Sequence, residues 1–384
     1  MSLARDIADL AAVTSRLDIV GASSGALSNR NFIINGEMKV AQRATGATTA
    51  ANNYATVDRF KTWVGVTSGA YTSEQSTDVP SGQGFSNSLK LQCTTADTST
   101  AAGEYAQFMQ SIEAQNCQAF AYGTSGAKTL TLSFWCKSNK TGVYTVAFRK
   151  ADSTVYMLPI EYTISSADTW EKKTITVSPT SGSTTFITNS GGAIANDNGR
   201  GFEIYWNLLL GSSYTGGTSG TWSSNGTHYT TTNAVNWLDN TANNFYITGI
   251  QLEIGDTVTD FEHRKFSEEL RACQRYFCRT YPYGTATGNA NSSSSQASSV
   301  YGTITYADAG TWRFPVEMRA APTVVAYSTQ NANTSGKITA DATDGNASVA
   351  FAGRTSVFLV RSNDSSGVAA NAFLKAHATA DAEL

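Results

Sequence analysis

Charge is scarce in this sequence. Asp, Glu, Lys and Arg make up only 15% of the 384 residues, and the formal net charge is −3. Because the Lys and Arg residues are scattered and offer no basic patch to a phosphate backbone, nucleic acid is not expected as a partner. Gly, Ser, Thr, Ala and Asn are abundant instead, which favours short strands joined by many turns. The composition predicts an all-β protein.

Long apolar runs and a secretion signal are also missing. No stretch of about eighteen apolar residues occurs, so no membrane insertion is predicted. The N-terminal region carries Arg5, Asp6, Asp9, Arg16 and Asp18, which is not the composition of a signal peptide. The expectation is a protein that is made in a cytosol and used elsewhere.

Residues that carry catalysis or bind metals are few. The three histidines, His228, His263 and His377, are far apart, and no metal-ligand, nucleophile-elbow or phosphate-loop pattern occurs. For His263 we expect packing or a local hydrogen bond. The five cysteines form no Cys-x-x-Cys pair, and Cys273 and Cys278 lie too far around a helix for a disulfide. We therefore predict free thiols, with Cys136 buried because it alternates with Leu132 and Phe134, no cofactor and no enzyme activity.

The sequence leaves open whether a structural calcium ion is bound. Asn196–Gly199 offers carboxylate and amide oxygens of the kind that Ca²⁺ prefers. The same residues also form turns readily, and a turn is the expected role.

Extended segments with alternating apolar side chains dominate the middle of the chain. Leu130, Leu132, Phe134 and Cys136 alternate with more polar neighbours. The same pattern recurs at residues 144–148, 156–164, 175–177 and 202–208. Short alternating strands separated by Gly, Ser, Asn and Asp predict two antiparallel sheets packed face to face.

The stretch Asn244–Arg279 closes this region. Its strand has apolar side chains on one face, and we expect Gln251 and Glu253 on the other face to meet water. A short helix should follow, with Ser267 as its N-cap. Its buried side is expected to carry Leu270, Cys273 and Phe277.

Two segments resemble the jelly-roll domain of phage tail-fibre and receptor-binding proteins, a fold like that of carbohydrate-binding modules. One is FYITGIQLEIGDTVTDFEHRKFSEELRACQRYF at residues 245–277. The other is NFIINGEMKVAQR at residues 31–43, followed by VDRF at 57–60. Together they bracket roughly residues 29–279. The resemblance implies a virion appendage that contacts a host surface. The ligand on that surface differs from one such protein to the next.

The N-terminal residues have a heptad pattern. Residues Leu3, Ile7, Leu10, Thr14 and Leu17 follow one another at alternating spacings of four and three, and all of them except Thr14 are apolar. Because so short a helix is marginal alone, it needs partners. We predict that three copies assemble through these residues as a homotrimer. The alternatives are docking onto another phage tail protein and packing of the helix on its own domain.

The predicted organisation has four parts. Residues 1–28 form the N-terminal helix and linker, 29–265 the jelly-roll β-sandwich, 266–299 a connecting helix and linker, and 300–384 a smaller C-terminal β-sandwich. In the last part we expect strands at 300–306, 311–314, 323–327, 348–351, 356–361 and 373–377. Its small core would contain Trp312, Phe314, Phe351, Phe358 and Phe373.

A long polar excursion, Gly211–Thr232, is the best candidate for ligand binding. Sugar rings bind to aromatic faces beside amide, carboxylate and hydroxyl groups. The excursion and the residues after it supply such groups in Trp222, Tyr214, Tyr229, Trp237 and Asp239. The alternative is that these aromatic side chains pin the loop to the sandwich. Trp135 is a separate candidate on the polar row of a strand.

These patterns and the resemblance predict a tail fibre on the virion that adheres to host-surface polysaccharide. The alternatives are a purely structural virion adaptor or neck fibre, and a glycan depolymerase. Depolymerisation needs two carboxyl groups about 5–10 Å apart across a sugar. Glu161, Glu203 and Glu253 lie on polar rows of strands, where we expect them to be solvated.

Overall fold

The computed structural model describes residues 29–66, 68–290, 295–299, 307–350, 352–361 and 372–384. The predicted N-terminal helix and the strand expected at 300–306 lie outside these residues and stay predictions. The described residues form two compact units. The first consists of residues up to Lys39, Ala47–Ala55 and Phe60–Arg264; the second of Val40–Gly46, Thr56–Arg59 and Lys265–Leu384. The second unit thus includes the helix that the sequence assigned to a connecting segment, and two short pieces of the N-terminal region.

The described part of the first unit contains eleven strands. They are β1 Thr48–Thr49, β2 Lys61–Gly65, β3 Ala70–Ser76, β4 Ser88–Thr95, β5 Tyr105–Glu113, β6 Leu130–Ser138, β7 Gly142–Lys150, β8 Tyr156–Ile164, β9 Glu171–Val177, β10 Arg200–Leu210 and β11 Asn244–Ile254. Each strand predicted between residues 130 and 254 is present, as β6 to β11.

Two antiparallel sheets build the predicted sandwich. One has the order β1-β3-β4-β11-β6-β9, and the other has the order β2-β5-β10-β7-β8. Trp206 of β10 is fully buried between them, stacked on Phe108 with ring centroids 5.2 Å apart and edge-on to Phe134 at 6.0 Å. Since side chains alternate along a strand, the neighbours of Trp206 in β10 point to the outer face of the five-stranded sheet.

The two segments that carry the family resemblance lie against each other. A bulge in β11 interrupts its pairing with β6. Near this bulge Ile250 N donates to Gly36 O at 3.0 Å, and Phe32 N donates to Leu252 O at 2.9 Å. The Asn31 side chain donates to Ile250 O at 3.1 Å and accepts from Leu252 N at 3.1 Å. Residues far apart in the sequence thus close one side of the sandwich together.

The second face of β11 is covered, so the expectation that Gln251 and Glu253 meet water is wrong. Both side chains are buried. The chain after β11 folds back over them: Thr259 N donates to Glu253 Oε1 at 3.0 Å, and Glu262 N donates to Gln251 Oε1 at 2.8 Å. Their hydrogen bonds are supplied by protein instead of solvent.

The second unit has one helix and eight strands in its described part. They are α1 Phe266–Gln274, β12 Phe277–Arg279, β13 Gln296–Ser299, β14 Ala307–Arg313, β15 Thr323–Tyr327, β16 Lys337–Ala340, β17 Thr343–Ala350, β18 Ser356–Arg361 and β19 Phe373–Asp381. The strands form one curled antiparallel sheet in which β19 pairs with β12, β13, β15 and β16. The all-β fold class is confirmed.

Helix α1 begins earlier than the sequence suggested. Its N-cap is Lys265 and not Ser267, because the Glu268 side chain accepts the Lys265 backbone N–H at 3.4 Å and closes the first turn. Cys273 is buried as expected, whereas Phe277 lies beyond the helix in β12.

The core of the second unit uses small and aliphatic side chains more than expected. Trp312 and Phe314 are buried, as predicted. Phe373 is 45% exposed and Phe358 is half-buried, so their assignment to the core is wrong. The alternate residues of the same strands are buried instead: Val357, Leu359, Leu374 and Ala376. The Phe351 side chain lies outside the described residues.

A buried charge cluster joins the separate segments of the second unit. Arg59 is 1% exposed, forms an ion pair with Glu383 and covers the Tyr276 ring, with its Cζ 3.4 Å from the ring centroid. Arg43 Nη2 lies 2.9 Å from Asp381 Oδ2. These contacts tie Val40–Gly46 and Thr56–Arg59 to the end of β19 and the residues after it.

Asp58, in the same cluster, should make the stability of the second unit depend on pH. Burial raises the pKa of its carboxyl to about 6, against the opposing attraction of Arg43 and hydrogen bonds from Gln42. Because the folded state holds this proton more tightly than the unfolded chain, stability falls as the pH rises from about 4 to 6, by about 3 kcal/mol. The free energy of unfolding of wild type minus that of Asp58→Asn should therefore decrease by about 3 kcal/mol between about pH 4 and pH 7. Hydrogen exchange of β19 amides measures both free energies.

The matched control for this titration is Glu317→Gln. The Glu317 side chain is 55% exposed in its ion pair with Arg354, so solvent screens its charge and Glu317→Gln should change the stability by no more than about 1 kcal/mol. A flat difference for Asp58→Asn as well would show that Asp58 titrates normally in the folded protein.

The thiols match their prediction. All five cysteines are free and buried. Burial raises the pKa of the Cys136 and Cys278 thiols to about 12, which keeps them protonated and unreactive. Within the described residues, no helix combines the length and apolarity needed to cross a membrane.

Candidate functional site

The structure corrects the roles predicted for Trp222 and Trp237. Trp222 is 1% exposed and its Nε1 donates to Ser178 O at 2.9 Å. Trp237 is fully buried and its Nε1 donates to Asn244 O at 3.1 Å. A ring without exposed surface cannot stack on a sugar. These two residues instead fix the excursion and the segment after it to the sandwich, which is the alternative that the sequence left open.

Tyr214 and Tyr229 belong to a closed ring of five aromatic side chains, here called the aromatic cluster. Its members are Trp63, Tyr105, Tyr205, Tyr214 and Tyr229. Going around the ring from Trp63 through Tyr105, Tyr214, Tyr229 and Tyr205, successive centroids are 6.4, 5.9, 6.0, 5.1 and 5.7 Å apart. Tyr205 is fully buried at its base, and the other four rings are half-buried.

Strand register places these rings on the outer face of the five-stranded sheet. Trp63 of β2 is paired with Gln107 of β5, and Gly65 is paired with Tyr105. A Cβ at Gly65 would lie 2.5 Å from the Tyr105 ring, so glycine leaves the space that this ring occupies. Tyr205 follows on β10, beside β5. The excursion contributes Tyr214 and Tyr229 from above the sheet.

A buried carboxylate lies beneath the cluster, which corrects the expectation that Glu203 is solvated. Glu203 is fully buried and forms an ion pair with Arg149. It also accepts from Ser111 Oγ at 3.0 Å, Tyr205 Oη at 2.9 Å and Arg200 Nη1 at 3.3 Å. Because both oxygens are held by donors, the carboxylate orients Tyr205 and is poorly placed to exchange a proton with a ligand.

Hydrogen bonds fix the excursion to the outer face of the sheet. Asn207 Nδ2 donates to Thr145 Oγ1 at 2.9 Å and to Tyr229 O at 2.8 Å. The hydroxyls of Thr145 and Thr230 are 2.7 Å apart, and Thr230 N donates to Tyr214 O at 3.1 Å. The two limbs of the excursion are therefore joined next to the aromatic cluster.

Three polar side-chain atoms on this face have no hydrogen-bond partner among the described residues. They are Gln107 Oε1, Asn207 Oδ1 and Arg149 Nε. Gln107 is 4% exposed and Asn207 is 5% exposed. Since a buried polar atom without a partner is unfavourable, water or ligand hydroxyls would stabilise these groups.

A cavity of about 150 Å³ adjoins the end of β10. Its polar lining consists mainly of Asn207 and the hydroxyls of Thr100, Thr215, Thr230, Thr231 and Thr232. Thr232 is exposed at its rim and Thr230 is buried at its base. Sequence reasoning missed the cavity, because it depends on how the excursion folds back over β10.

Asp239 and Trp135 lie outside the aromatic cluster. Asp239 Oδ2 is 2.5 Å from Lys140 Nζ, and its Oδ1 accepts from Asn243 Nδ2 at 2.9 Å, so it stabilises the segment before β11. Trp135 is half-buried on the six-stranded sheet, on the same row as Lys137. The structure therefore does not bring either residue to Tyr214 and Tyr229.

The calcium candidate forms a turn. Asp197 Oδ1 accepts from Gly199 N at 2.7 Å. Among the residues that the structure describes, no group of three His, Cys, Asp or Glu side chains is placed to hold a metal. His263 packs as expected: its Nδ1 lies 3.1 Å from Glu37 Oε2 and its ring centroid 4.9 Å from that of Phe261.

Comparisons with known proteins find neighbours among solved structures. No protein-family model and no curated protein matches the chain. The enzymatically active domain of tailspike protein 4 from bacteriophage CBA120 is similar over 59% of this chain, with 15% identity and a TM-score of 0.29, and the chain spans 21% of that tailspike.

Two carbohydrate-binding modules are similar at the same level. The family 11 module of a Clostridium thermocellum cellulase gives 12% identity and a TM-score of 0.29, covering 58% of this chain and 99% of the module. A xylan-binding domain of family 22 gives 13% identity and a TM-score of 0.30, covering 60% and 99%. Similarity this distant carries no information about function.

Proposed function

We propose that the first unit binds glycans through the aromatic cluster. The observation that carries this proposal is the set of four half-buried rings on one sheet face, next to buried amide oxygens that lack partners. In sugar-binding sites, ring faces pack against the apolar faces of sugars, and polar groups such as amide oxygens accept hydrogen bonds from sugar hydroxyls.

The proposal places the chain on a virion, as a tail fibre or receptor-binding protein that attaches to host-surface polysaccharide. Its support is the resemblance of residues 31–43 and 245–277 to proteins of that class. Assembly as a homotrimer through the N-terminal heptad pattern is part of the proposal. Three linked sites would raise avidity by about 10² to 10⁴ over one site, so each site needs only weak affinity.

Binding without cleavage is favoured over depolymerisation. Glu203, the carboxylate that accepts the Tyr205 hydroxyl beneath the cluster, is also bound by Arg149 and Ser111. A glycosidase acid or base must instead reach the scissile bond with its proton free to move.

Loss of a half-buried ring of the aromatic cluster should weaken glycan binding. We expect Trp63→Ala and Tyr214→Ala each to weaken binding to a responsive bacterial polysaccharide by about tenfold or more, because each removes apolar area that a sugar ring would cover. The measurement is binding of the full chain to an array of purified bacterial capsular polysaccharides and lipopolysaccharides, followed by titration of the responsive glycan.

The matched control is Trp170→Ala. Trp170 is also half-buried, but its Nε1 donates to Asp78 Oδ1 at 3.0 Å and its ring packs beside Tyr246 of the other sheet. This variant should bind normally. Equal affinity for all the variants would contradict a site at the cluster, and the absence of any responsive glycan would favour a purely structural virion protein.

A further inference from the structure

We propose that the cavity at the end of β10 receives one neutral sugar residue at the end or at a branch of a glycan, a proposal that rests on the glycan-binding function. The aromatic cluster alone would accept any sugar that presents an apolar face. A cavity beside it that admits only one sugar residue would select where along the glycan the protein binds.

The Asn207 side chain has a hydrogen-bond acceptor that a ligand hydroxyl could satisfy. Its two amide hydrogens are used by Thr145 Oγ1 and Tyr229 O, which leaves Oδ1 as an acceptor without a partner among the described residues. The side chain is 5% exposed, so bulk water does not compensate this atom. A hydroxyl that enters the cavity would donate to it.

The lining selects for neutral ligands. The twelve residues that surround the cavity are threonine, asparagine and aliphatic, and none of them is charged. A carboxylate would lose its hydration without gaining a cation, and an ammonium group would lack an anion, so both are disfavoured. The hydroxyls of Thr215 and Thr231 donate to Ser212 O at 3.3 Å and to Glu161 Oε1 at 2.5 Å, and their oxygens can still accept hydrogen bonds from sugar hydroxyls.

The size of the cavity selects for a single ring. Its volume of about 150 Å³ matches that of an engineered cavity that binds one benzene molecule. Tyr214 and Tyr229 immediately precede Thr215 and Thr230 of the lining, so a glycan on the aromatic cluster can extend one residue into the cavity. A chain that continues in both directions would not fit, which makes chain ends or single-residue branches the expected ligands.

The test uses free neutral monosaccharides as probes. D-Galactose, D-glucose, D-mannose, L-rhamnose and N-acetyl-D-glucosamine are titrated into the full chain, with D-glucuronic acid as the charged comparison. We expect at least one neutral sugar to bind in the millimolar range, to shift the side-chain amide resonances of Asn207 and to compete with the responsive polysaccharide. Glucuronic acid should bind at least tenfold more weakly.

Two substitutions of Thr232, at the rim of the cavity, test the contribution of the cavity to binding independently of the aromatic cluster. Thr232→Phe places a ring at the exposed mouth and should abolish monosaccharide binding, whereas the matched variant Thr232→Ala should retain it. Trp63→Ala should retain its affinity for the monosaccharide and bind the polysaccharide about tenfold or more weakly. Normal folding of each variant is checked by circular dichroism.

The outcomes distinguish the two proposals. If the polysaccharide binds through the cluster but no neutral monosaccharide competes and Thr232→Phe has no effect, the cavity proposal is overturned and the proposed function stands. If no polysaccharide on the array binds and no monosaccharide shifts Asn207, both are overturned. Binding of glucuronic acid as tight as that of the neutral sugars would also overturn the proposed selectivity.

Discussion

Replacing Arg59 with methionine is expected to lower the free energy of unfolding of the second unit by about 4 kcal/mol. The substitution keeps much of the side-chain volume but leaves the Glu383 carboxylate, which is 5% exposed, without its closest cation. It also removes the guanidinium from the Tyr276 ring. Arg59 has a φ of 71°, in the left-handed region, which neither arginine nor methionine favours, so the contacts of the guanidinium help to hold this backbone conformation.

Hydrogen exchange of β19 amides measures this loss, with Arg354→Met as the matched control. Arg354 lies 3.0 Å from Glu317, but their side chains are 45% and 55% exposed, so the control should lose only about 1 kcal/mol. The double variant Arg59→Met with Glu383→Gln should be more stable than Arg59→Met alone, because no unpaired charge remains buried. Equal losses for Arg59→Met and Arg354→Met would show that the cluster is solvated.

Gly36→Ala is expected to destabilise the first unit by about 3 kcal/mol, since the backbone has no room for a methyl group there. A Cβ at this position would lie 2.1 Å from Ile250 O. Because Ile250 O is a backbone atom, it cannot move away by a change of rotamer as a side-chain atom could. Relief requires Gly36 and Ile250 to separate, which breaks the hydrogen bond from Ile250 N to Gly36 O.

Thermal and urea unfolding followed by the fluorescence of the first unit measure this effect. Gly103→Ala is the control in the same unit, because a Cβ there would meet nothing within 4 Å. It should be neutral or stabilising by up to about 0.5 kcal/mol, as it restricts the unfolded chain. If Gly36→Ala melts like Gly103→Ala, the close approach of the two segments is contradicted.

Alternation predicted the later strands of the sandwich but not the earlier ones. Strands β8 and β9 leave part of one row half-buried or exposed, and their alternation reads clearly from the sequence. Strand β10 is buried on both faces, yet it was predicted because its inner row, Phe202, Ile204, Trp206 and Leu208, is apolar throughout. Strand β5, with the sequence YAQFMQSIE, is buried on both faces because the aromatic cluster and the excursion cover its outer row, which includes Gln107 and Met109. Both rows of β5 mix apolar and polar residues, with Met109 on the outer row and Gln110 on the inner one, so no two-residue period is visible in its sequence.

The candidate site was only partly accessible to sequence reasoning. Tyr214 and Tyr229 were found because they occur in a long polar loop. Trp63, Tyr105 and Tyr205 come from three strands that are far apart in the sequence, so only their register shows that they meet. One local signal was available: Tyr205 occupies the row of β10 where a half-solvated strand would have a polar residue.

In the second unit, the core residues were predicted less accurately than the strands, because large side chains were assumed to be buried. Strands β15 and β18 have the predicted bounds. The large Phe358 and Phe373 were assigned to the core, yet the space around β19 is filled by Ala376, Ala378 and Ala380. Strands packed this closely leave little room for rings, and β12, β13 and β16 are strands because they pair with β19, not because of their own composition.

The three-piece construction of the second unit also constrains how such proteins can recombine. A crossover at residue 264 would transfer Glu383 without Asp58 and Arg59, since these two residues come from the N-terminal region. A hybrid gene made in this way would encode a C-terminal unit with mismatched ion-pair partners. Crossovers at the ends of the excursion Gly211–Thr232 would instead exchange Tyr214 and Tyr229, two members of the proposed glycan site, without separating the ion-pair partners of the second unit.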